Sequence, residues 1–317
     1  VHPTHNVAIL SFDPALLGAT PIRGAGFDTT GLEPGEAVTV VGLGSDSRVR
    51  SLATKVASVD DVSFPLSRTL QFREANLEVA SLVNPPTDFD GVIVGSDGRV
   101  RAMWSSFATE SGRDVVQINR GLPIEIVTEA VDALRAGRPL YSLEAEFEAV
   151  PVSVARKLGL TDEWVRRIEA HDGPHRQVLS VARVVAGSPA AESLQEGDLL
   201  LAVDGKVVNR FREVERAMRA EAVDVTILRD GREEVLRIAT ARLGGHDIDR
   251  LLLWAGAVLH APHRAMAAQR GIPPEGVFVA YFAYGSPATR YELFAGRRIV
   301  EVDGRATPDL DAFIATV

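Results

Sequence analysis

The sequence contains no cysteine and no apolar run long enough to cross a bilayer. The absence of cysteine excludes disulfides, thiolate metal sites and a cysteine nucleophile. Positive charge is also scarce, because 34 Lys and Arg stand against 43 Asp and Glu, for a net charge of −9. A nucleic-acid partner needs a clustered basic face. We therefore predict neither nucleic-acid binding nor a membrane span.

Aromatic residues make up only 6% of the chain, but 46% of it is hydrophobic, which is enough for several cores. At about 100–150 residues per domain, the length predicts two or three domains. Gly42-Leu43-Gly44-Ser45 resembles a nucleotide-binding loop. Because no helix pattern follows and no acidic ribose partner is placed, a β-turn is the better interpretation, and we expect no cofactor.

Two histidine pairs raise the question of a metal site. His2 and His5 lie three residues apart near the start, while His171 and His175 lie in a segment that contains Gly and Pro. No further ligand residues cluster beside either pair in the sequence. We therefore expect a solvated terminus and a loop, and no metal site.

The first hundred or so residues have the pattern of short strands. Residues 7–10, 37–41 and 92–94 are β-branched runs bounded by turn residues, and residues 96–99 (Ser-Asp-Gly-Arg) predict a hairpin turn. Many strands at short spacing indicate a barrel or a sandwich. A helical period then predicts a helix from about Ile124 to Arg135, ended by Gly137.

The remainder contains an internal repeat. Residues 187–190 (Gly-Ser-Pro-Ala) recur at 285–288, and 203–205 (Val-Asp-Gly) recur at 302–304. The offsets are 98 and 99 residues, so a single insertion separates the copies. A period of this length is that of a small domain rather than of a solenoid turn.

Each copy resembles a PDZ domain of the HtrA type. Residues 187–191 and 196–205 nearly reproduce that family's phrase "G-S-P-A-A … G-D-x-I-x-x-V-D-G". The second copy departs from it at Gly296-Arg297, where the family usually has Gly-Asp, and it stops at Val317, so we expect it to lack its last strands. The resemblance implies that an extended peptide, often a chain's C-terminus, adds as a strand beside a helix.

The resemblance also assigns residues to this binding mode. In the first copy, the loop that would receive a terminal carboxylate and the helix that would face the peptide comprise Tyr141, Ser142, Leu143, Glu144, Val214 and Met218. In the second copy, the corresponding loop comprises Trp254, Ala255, Gly256 and Ala257. Because Glu144 would repel an incoming carboxylate, we expect the first copy to prefer internal or amidated segments. The alternative interpretation of Leu143, Val214 and Met218 is that they are core residues.

The N-terminal part is similar to the barrel of trypsin-like HtrA proteases. Residues 32–42 match the family's "L-x-x-G-D-x-V-x-x-I-G" strand, residues 91–100 match the segment after its nucleophile, and 122–124 match the exit from the barrel. The pattern places the nucleophile at Phe89 and the triad carboxylate at Asn6, and it places the histidine upstream of this chain. A Ser-His-Asp mechanism needs all three groups. We therefore expect no catalytic residue here, and Thr87 is a poor substitute.

The expected fold is mainly β with α+β modules. It consists of a degenerate trypsin-like β-barrel with a closing helix (1–137), a first PDZ-like domain (138–244) and an incomplete second one (245–317). The whole resembles the second protease half and PDZ modules of long, duplicated HtrA homologues. That resemblance implies a segment without its own triad that binds peptides and regulates a protease.

Two other functions stay open at this point. One is a stand-alone PDZ peptide-binding or chaperone-like protein, and the other is a protease that uses unforeseen residues. The implied partners are extended peptides, protein C-termini, unfolded protein substrates and, in a homo-oligomer, further copies of the chain. The compartment is not determined by the sequence, although the periplasm is expected for a bacterial member of the usual HtrA type.

Overall fold

The structure is a computed structural model that describes residues 2, 4–5, 7–62, 76–111, 114–244 and 248–317. Among these, the side chains of residues 108–115 are not described. The chain forms two compact units. The described residues up to Pro139 form the first unit, and those from Leu140 to Val317 form the second.

The first unit is built on a closed barrel of six antiparallel strands in the order β1-β2-β3-β6-β5-β4. The strands are β1 (Ala37–Gly44), β2 (Val49–Asp61), β3 (Glu78–Leu82), β4 (Phe89–Val94), β5 (Val100–Ser111) and β6 (Asp114–Pro123). Alternate side chains of these strands point inward, so that Val40, Ile93 and Trp104 fill the barrel interior at 1% exposure or less. A 3-10 turn, Pro14–Leu17, precedes the barrel.

The predicted closing helix is confirmed as α1 (Ile124–Arg135), which buries Ile124, Ile126, Ala130 and Ala133. The predicted strands at 37–41 and 92–94 are confirmed within β1 and β4, and the turn between β4 and β5 lies at residues 95–99.

Three local predictions for this unit are wrong. Residues 7–10 form no strand, because this run finds no partner strand in the described parts of the chain and Leu10 is 86% exposed. The turn expected at Gly42 begins later, since β1 runs to Gly44 and pairs with both β2 and β4. His5 is not solvated but 1% exposed, with its ring 4.8 Å from that of His2.

The second unit begins with the first copy, whose main sheet has the order β13-β12-β10-β9-β8, with β11 paired to β10. A separate two-stranded sheet joins the start and the end of this copy, β7 with β14. The strands are β7 (Leu140–Ser142), β8 (Ala145–Pro151), β9 (Gln177–Val184), β10 (Leu199–Val203), β11 (Lys206–Val207), β12 (Ala222–Arg229), β13 (Arg232–Ala239) and β14 (Ala241–Leu243).

Helices cover both faces of this sheet. On one face, α4 (Phe211–Ala217) contributes to a cluster with Leu143, Phe147 and Leu200. On the other face lie α2 (Val152–Ala155) and α3 (Asp162–His171), which bury Val152, Trp164 and Ile168. Two 3-10 turns, Arg156–Leu158 and Pro189–Glu192, complete the copy.

The predicted loop around the second histidine pair is only partly correct. His171 is the last residue of α3, and its Nε2 lies 2.7 Å from Glu213 Oε1. His175 does lie in a loop, with Nδ1 2.9 Å from Asp172 Oδ2. Each imidazole therefore has a carboxylate partner.

The second copy is a smaller sheet in the order β15-β16-β17-β18, with a further hairpin of β19 and β20. Its strands are β15 (Leu252–Trp254), β16 (Ala257–His260), β17 (Val277–Phe282), β18 (Arg298–Ile299), β19 (Glu301–Val302) and β20 (Arg305–Ala306). Its helices are α5 (Arg264–Arg270), α6 (Pro287–Arg290) and α7 (Leu310–Thr316). Leu259, Val277 and Phe313 form its core.

The repeat seen in the sequence is also a repeat of backbone geometry. The serine of each Gly-Ser-Pro-Ala segment caps the following turn, Ser188 at Ala191 N and Ser286 at Thr289 N. Each Asp-Gly turn is left-handed, with φ of 46° at Asp204 and 49° at Asp303. The two copies therefore share one fold over this stretch.

In the described residues, each helix is too short or too polar to cross a membrane.

Candidate functional site

The position that the resemblance assigns to a nucleophile is occupied by an aromatic ring. Phe89 is the first residue of β4, and it lies opposite Gly44 of β1. Its ring is partly buried against the barrel cluster that contains Val40 and Trp104. Thr87, the nearest hydroxyl, is exposed in the preceding bend. Asn6, the other vestigial triad position, lies outside the described residues.

The first groove lies between β8 and α4. β8 pairs with β9 on one side, and among the strands that the structure describes it is the last of its sheet. Ala145 and Phe147 of β8 have further interaction partners. A strand beside a helix is the arrangement in which modules of this kind hold an extended peptide.

The side chains that bound the first groove are packed against one another. Leu143 is 3% exposed, Val214 5% and Met218 6%, and all three belong to the main core cluster of this copy. Tyr141 is only partly buried against the same cluster. An apolar peptide side chain therefore enters this groove only if these side chains move.

The loop of residues 142–144 is held in one conformation. Glu144 has a left-handed backbone with φ of 56°, and its N–H donates to Ser142 Oγ at 2.9 Å. Its carbonyl accepts the N–H of Val185 at 2.8 Å. The Glu144 carboxylate accepts a hydrogen bond from Arg264 Nε at 2.8 Å, and both side chains are nearly buried. The predicted negative charge at this loop is therefore paired with a cation from α5.

The corresponding loop of the second copy is a tight hairpin turn. Trp254 lies opposite Ala257, and the two residues between them, Ala255 and Gly256, have φ of 51° and 84°. Two positive φ values are the signature of a type I′ turn, which joins two strands without a gap. β15 and β16 consequently lie side by side.

The second groove, the edge of β16 together with α7, is thereby occupied by the chain itself. β16 follows the loop as β8 does in the first copy, and β15 lies on the side of β16 that β17 does not use. Trp254 stacks edge-on against Phe313 of α7, with ring centroids 5.3 Å apart, and Leu252 packs against the same core. β15 thus holds the place that an added peptide strand would take.

Two features of these grooves are not predicted by the sequence pattern. In the sequence, the residues of β15 resemble the start of a PDZ-like domain. The short connection between Trp254 and Ala257 is the only local signal for a hairpin. Arg264 lies 120 residues from Glu144 in the chain, so their ion pair has no local signal at all.

Matches to known protein families agree with the two copies that the internal repeat defines. Residues 180–229 match a PDZ domain, and residues 247–317 match a PDZ-like domain.

Relatives match over nearly the whole chain. "Protease Do-like 7" of Arabidopsis thaliana is 32% identical over 99% of this chain, which covers 32% of that protein. "Pro-apoptotic serine protease nma111" of Neosartorya fischeri is 30% identical over 100% of this chain, which again covers 32% of the relative. A solved structure, "HtrA-type protease AlgW with tripeptide", superposes with a TM-score of 0.47 at 16% identity, over 70% of each chain.

The chain thus spans about a third of the length of the curated relatives that it matches. The barrel, the two PDZ copies and the full-length similarity lead to one assignment: the chain belongs to the HtrA family of PDZ-containing serine proteases.

Proposed function

We propose that this segment lacks a catalytic triad of its own and that it binds extended peptides on behalf of a protease. The observation that carries the first half is Phe89. A benzyl side chain has no nucleophilic atom, and here its ring packs against the barrel core at the position where the family pattern requires a hydroxyl. Asp88 and Asp90, its neighbours, are exposed carboxylates and offer no hydroxyl either.

Peptide binding is proposed for the first groove. Phe147 of β8 and Val214 of α4 share one core cluster, so the strand and the helix lie side by side, as in modules that hold an extended segment between them. The ligand class that follows is an extended, apolar-ended stretch of an unfolded protein or of a chain terminus. The second groove is proposed to be closed, because β15 occupies it.

We propose that this segment regulates a protease, because of the family to which it belongs and because it matches only part of the length of its relatives. The relatives carry protease names, and this segment corresponds to about a third of their length. A segment that captures substrate without cleaving it can deliver that substrate to catalytic residues elsewhere in a protein. It can also activate those residues when it binds substrate. The alternative, a stand-alone peptide-binding or chaperone-like role, keeps the same groove but has no protease to regulate.

Labelling with a fluorophosphonate probe tests the catalytic half of the proposal. We expect no labelling of this chain and no casein hydrolysis, with trypsin as the positive control in the same reaction. Stoichiometric labelling that disappears in Thr87→Val would contradict the proposal and would identify the nucleophile.

The regulatory half is tested in the intact protein that contains this segment. We expect Val214→Asp, which damages the first groove, to lower the rate of casein hydrolysis. An unchanged rate in a variant that no longer binds peptides would favour the stand-alone alternative.

A further inference from the structure

The chain contains several Asp-Gly steps, and the structure holds them with different firmness. Their aspartates are Asp90, Asp97, Asp172, Asp204, Asp230 and Asp303. A polypeptide rearranges most readily at such a step, because glycine has no Cβ to shield its backbone nitrogen from the aspartate side chain. The rearrangement needs a free carboxyl group, a free glycine N–H and a backbone that can leave its native conformation.

Two of these steps are copies of each other. Asp204-Gly205 closes the hairpin of β10 and β11, and Asp303-Gly304 closes that of β19 and β20. The aspartates have φ of 46° and 49°, the glycines have φ of 73° and 75°, and all four residues are exposed. The residue after the glycine is a cation in both copies. The two turns are therefore alike in sequence and in local geometry.

The first of these turns is held by a neighbouring strand. Asp204 N donates to the carbonyl of Asp224 at 2.7 Å, and Asp224 N donates to Asp204 Oδ1 at 2.9 Å. Asp224 lies in β12, which pairs with both β10 and β13, so the turn belongs to the main sheet. Asp204 can thus rearrange only if its contacts to β12 break.

The second turn has no such contacts. Within the part of the chain that the structure describes, Asp303 and Gly304 have neither a hydrogen bond nor an ion pair. β19 and β20 form a two-stranded sheet of their own, and Val302 is only partly buried. A two-stranded hairpin by itself is marginally stable, so it opens locally at a low cost in free energy. Asp303-Gly304 therefore meets all the conditions.

The remaining steps are each restrained. Gly98 N already donates a backbone hydrogen bond, and Asp172 Oδ2 lies 2.9 Å from His175 Nδ1. Asp90-Gly91 lies within β4, inside the barrel ladder, and Asp230-Gly231 closes the long ladder of β12 and β13. Opening any of these breaks contacts that Asp303-Gly304 does not have.

We propose that Asp303-Gly304 is a site of spontaneous isomerisation. The Gly304 nitrogen attacks Cγ of Asp303, the carboxyl hydroxyl leaves as water together with the amide proton, and a cyclic succinimide forms. Water then adds to one of the two ring carbonyls. Addition at Cγ restores aspartate, whereas addition at the backbone carbonyl leaves isoaspartate. The reaction needs no oxidant, metal or co-reactant other than water.

The product differs from aspartate in two ways that can be detected. Isoaspartate lengthens the backbone by one carbon, which a tight two-residue turn does not accommodate, so the rearranged hairpin no longer pairs as described. It also carries a free α-carboxylate, the group that an S-adenosylmethionine-dependent isoaspartyl methyltransferase accepts. Asp303 is thus the position at which an enzyme of that class would modify the aged chain.

The test follows isoaspartate in the unmodified chain during weeks of storage at neutral pH. Electron-transfer mass spectrometry of proteolytic peptides distinguishes isoaspartate from aspartate at each site. We expect isoaspartate to form about tenfold faster at Asp303 than at Asp204, because the two hydrogen bonds to Asp224 contribute about 1.4 kcal/mol to the activation free energy at Asp204. A chain stored in urea should show nearly equal rates at the two sites, because unfolding removes those bonds.

Matched substitutions identify the site by a second measurement. Isoaspartyl methyltransferase with labelled S-adenosylmethionine should place most of its label on Asp303 of the aged chain. Asp303→Glu keeps the charge but would need a larger ring that forms more slowly, so it should remove that label. Asp204→Glu, at the equivalent left-handed position, should leave the label in place.

Three results would overturn the inference, and none of them bears on the proposed peptide binding. Equal rates at Asp204 and Asp303 in the folded chain would show that β12 gives no protection. A preference for Asp303 that persists in urea would assign the difference to local sequence. Methyl labelling that Asp303→Glu leaves unchanged would place the reactive aspartate elsewhere in the chain.

Discussion

The two PDZ copies share a repeated sequence and a repeated backbone, yet they differ at the strand edge that a peptide would use. In the first copy, β7 pairs with β14 at the end of the copy and not with β8. In the second copy, β15 turns back through Ala255 and Gly256 and pairs with β16. The same motif is thus found with two different pairings of the strand before the loop.

This difference shows that the Gly-Ser-Pro-Ala and Asp-Gly motifs do not determine which partner the strand before the loop takes. Whether a peptide can reach the strand after the loop depends in part on that partner.

The largest effect is expected from Val214→Asp in the first copy. Val214 is 5% exposed within the main core cluster. Burying an unpaired charge there should lower the free energy of unfolding by about 3 kcal/mol and abolish peptide binding. Thermal denaturation followed by circular dichroism measures the first effect, and fluorescence anisotropy with a labelled peptide measures the second.

The matched control is Val154→Asp, the same substitution at a residue of α2 that is 42% exposed. It should change stability by less than about 0.5 kcal/mol. Equal losses in the two variants would mean that Val214 is not buried in the core cluster as described.

A smaller effect is expected at the turn that closes the second groove. Gly256 has φ of 84°, and a Cβ atom there would lie 2.2 Å from Ser286 Cβ. Gly256→Ala should therefore lower the free energy of unfolding by about 2 kcal/mol and loosen β15 from β16. Ala255→Gly, at the neighbouring position with φ of 51°, should be neutral or slightly stabilising. If both variants denature alike, the turn is not the tight hairpin described.

The smallest effect concerns the ion pair between Arg250, just before β15, and Asp311 of α7. The hydrogen bond from Arg250, and then its charge, lower the pKa of the Asp311 carboxyl below its ordinary value of 3.8. The pair therefore contributes stability above that value and loses it as the pH falls through the lowered pKa. Both side chains are exposed, so salt should screen the contribution.

Asp311→Asn should accordingly melt slightly below the unmodified chain at pH 7 in low salt. The two should converge both in 1 M salt and at low pH, as measured by differential scanning calorimetry. A difference that persists in 1 M salt would show that Asp311 acts through its N-terminal position on α7 rather than through Arg250.

Local elements of the fold could be predicted because their signals lie close together in the chain. The helix α1 was predictable from its apolar period between Pro123 and Gly137, and the turn after β4 from Gly98. The repeat identified the two PDZ copies because the repeated residues have the same structural role in each copy, as a cap or in a turn. The strand expected at residues 7–10 was wrong because β-branched composition does not supply a partner strand.

The candidate site could be predicted only in part. The loop positions of both copies and the helix positions of the first were assigned from their place in the motif, and their role in binding stays a prediction. The occupied edge of β16 depends on which strand β15 pairs with, and the Glu144–Arg264 contact joins residues of two different copies. Both features depend on tertiary contacts between distant residues or strands, so neither appears as a local pattern in the sequence. Helix α3 was also missed, although Thr161 caps it and Trp164, Val165 and Ile168 share one buried face.

Amide hydrogen exchange with bound peptide tests the central claim most directly. The chain would be exchanged with and without a saturating amidated decapeptide, and protection would be read separately for β8 (Ala145–Pro151) and β16 (Ala257–His260). The proposed peptide binding at the first groove predicts that the peptide slows exchange in β8 and leaves β16 unchanged. Protection of β16, or exchange in β8 that the bound peptide does not alter, would contradict the account.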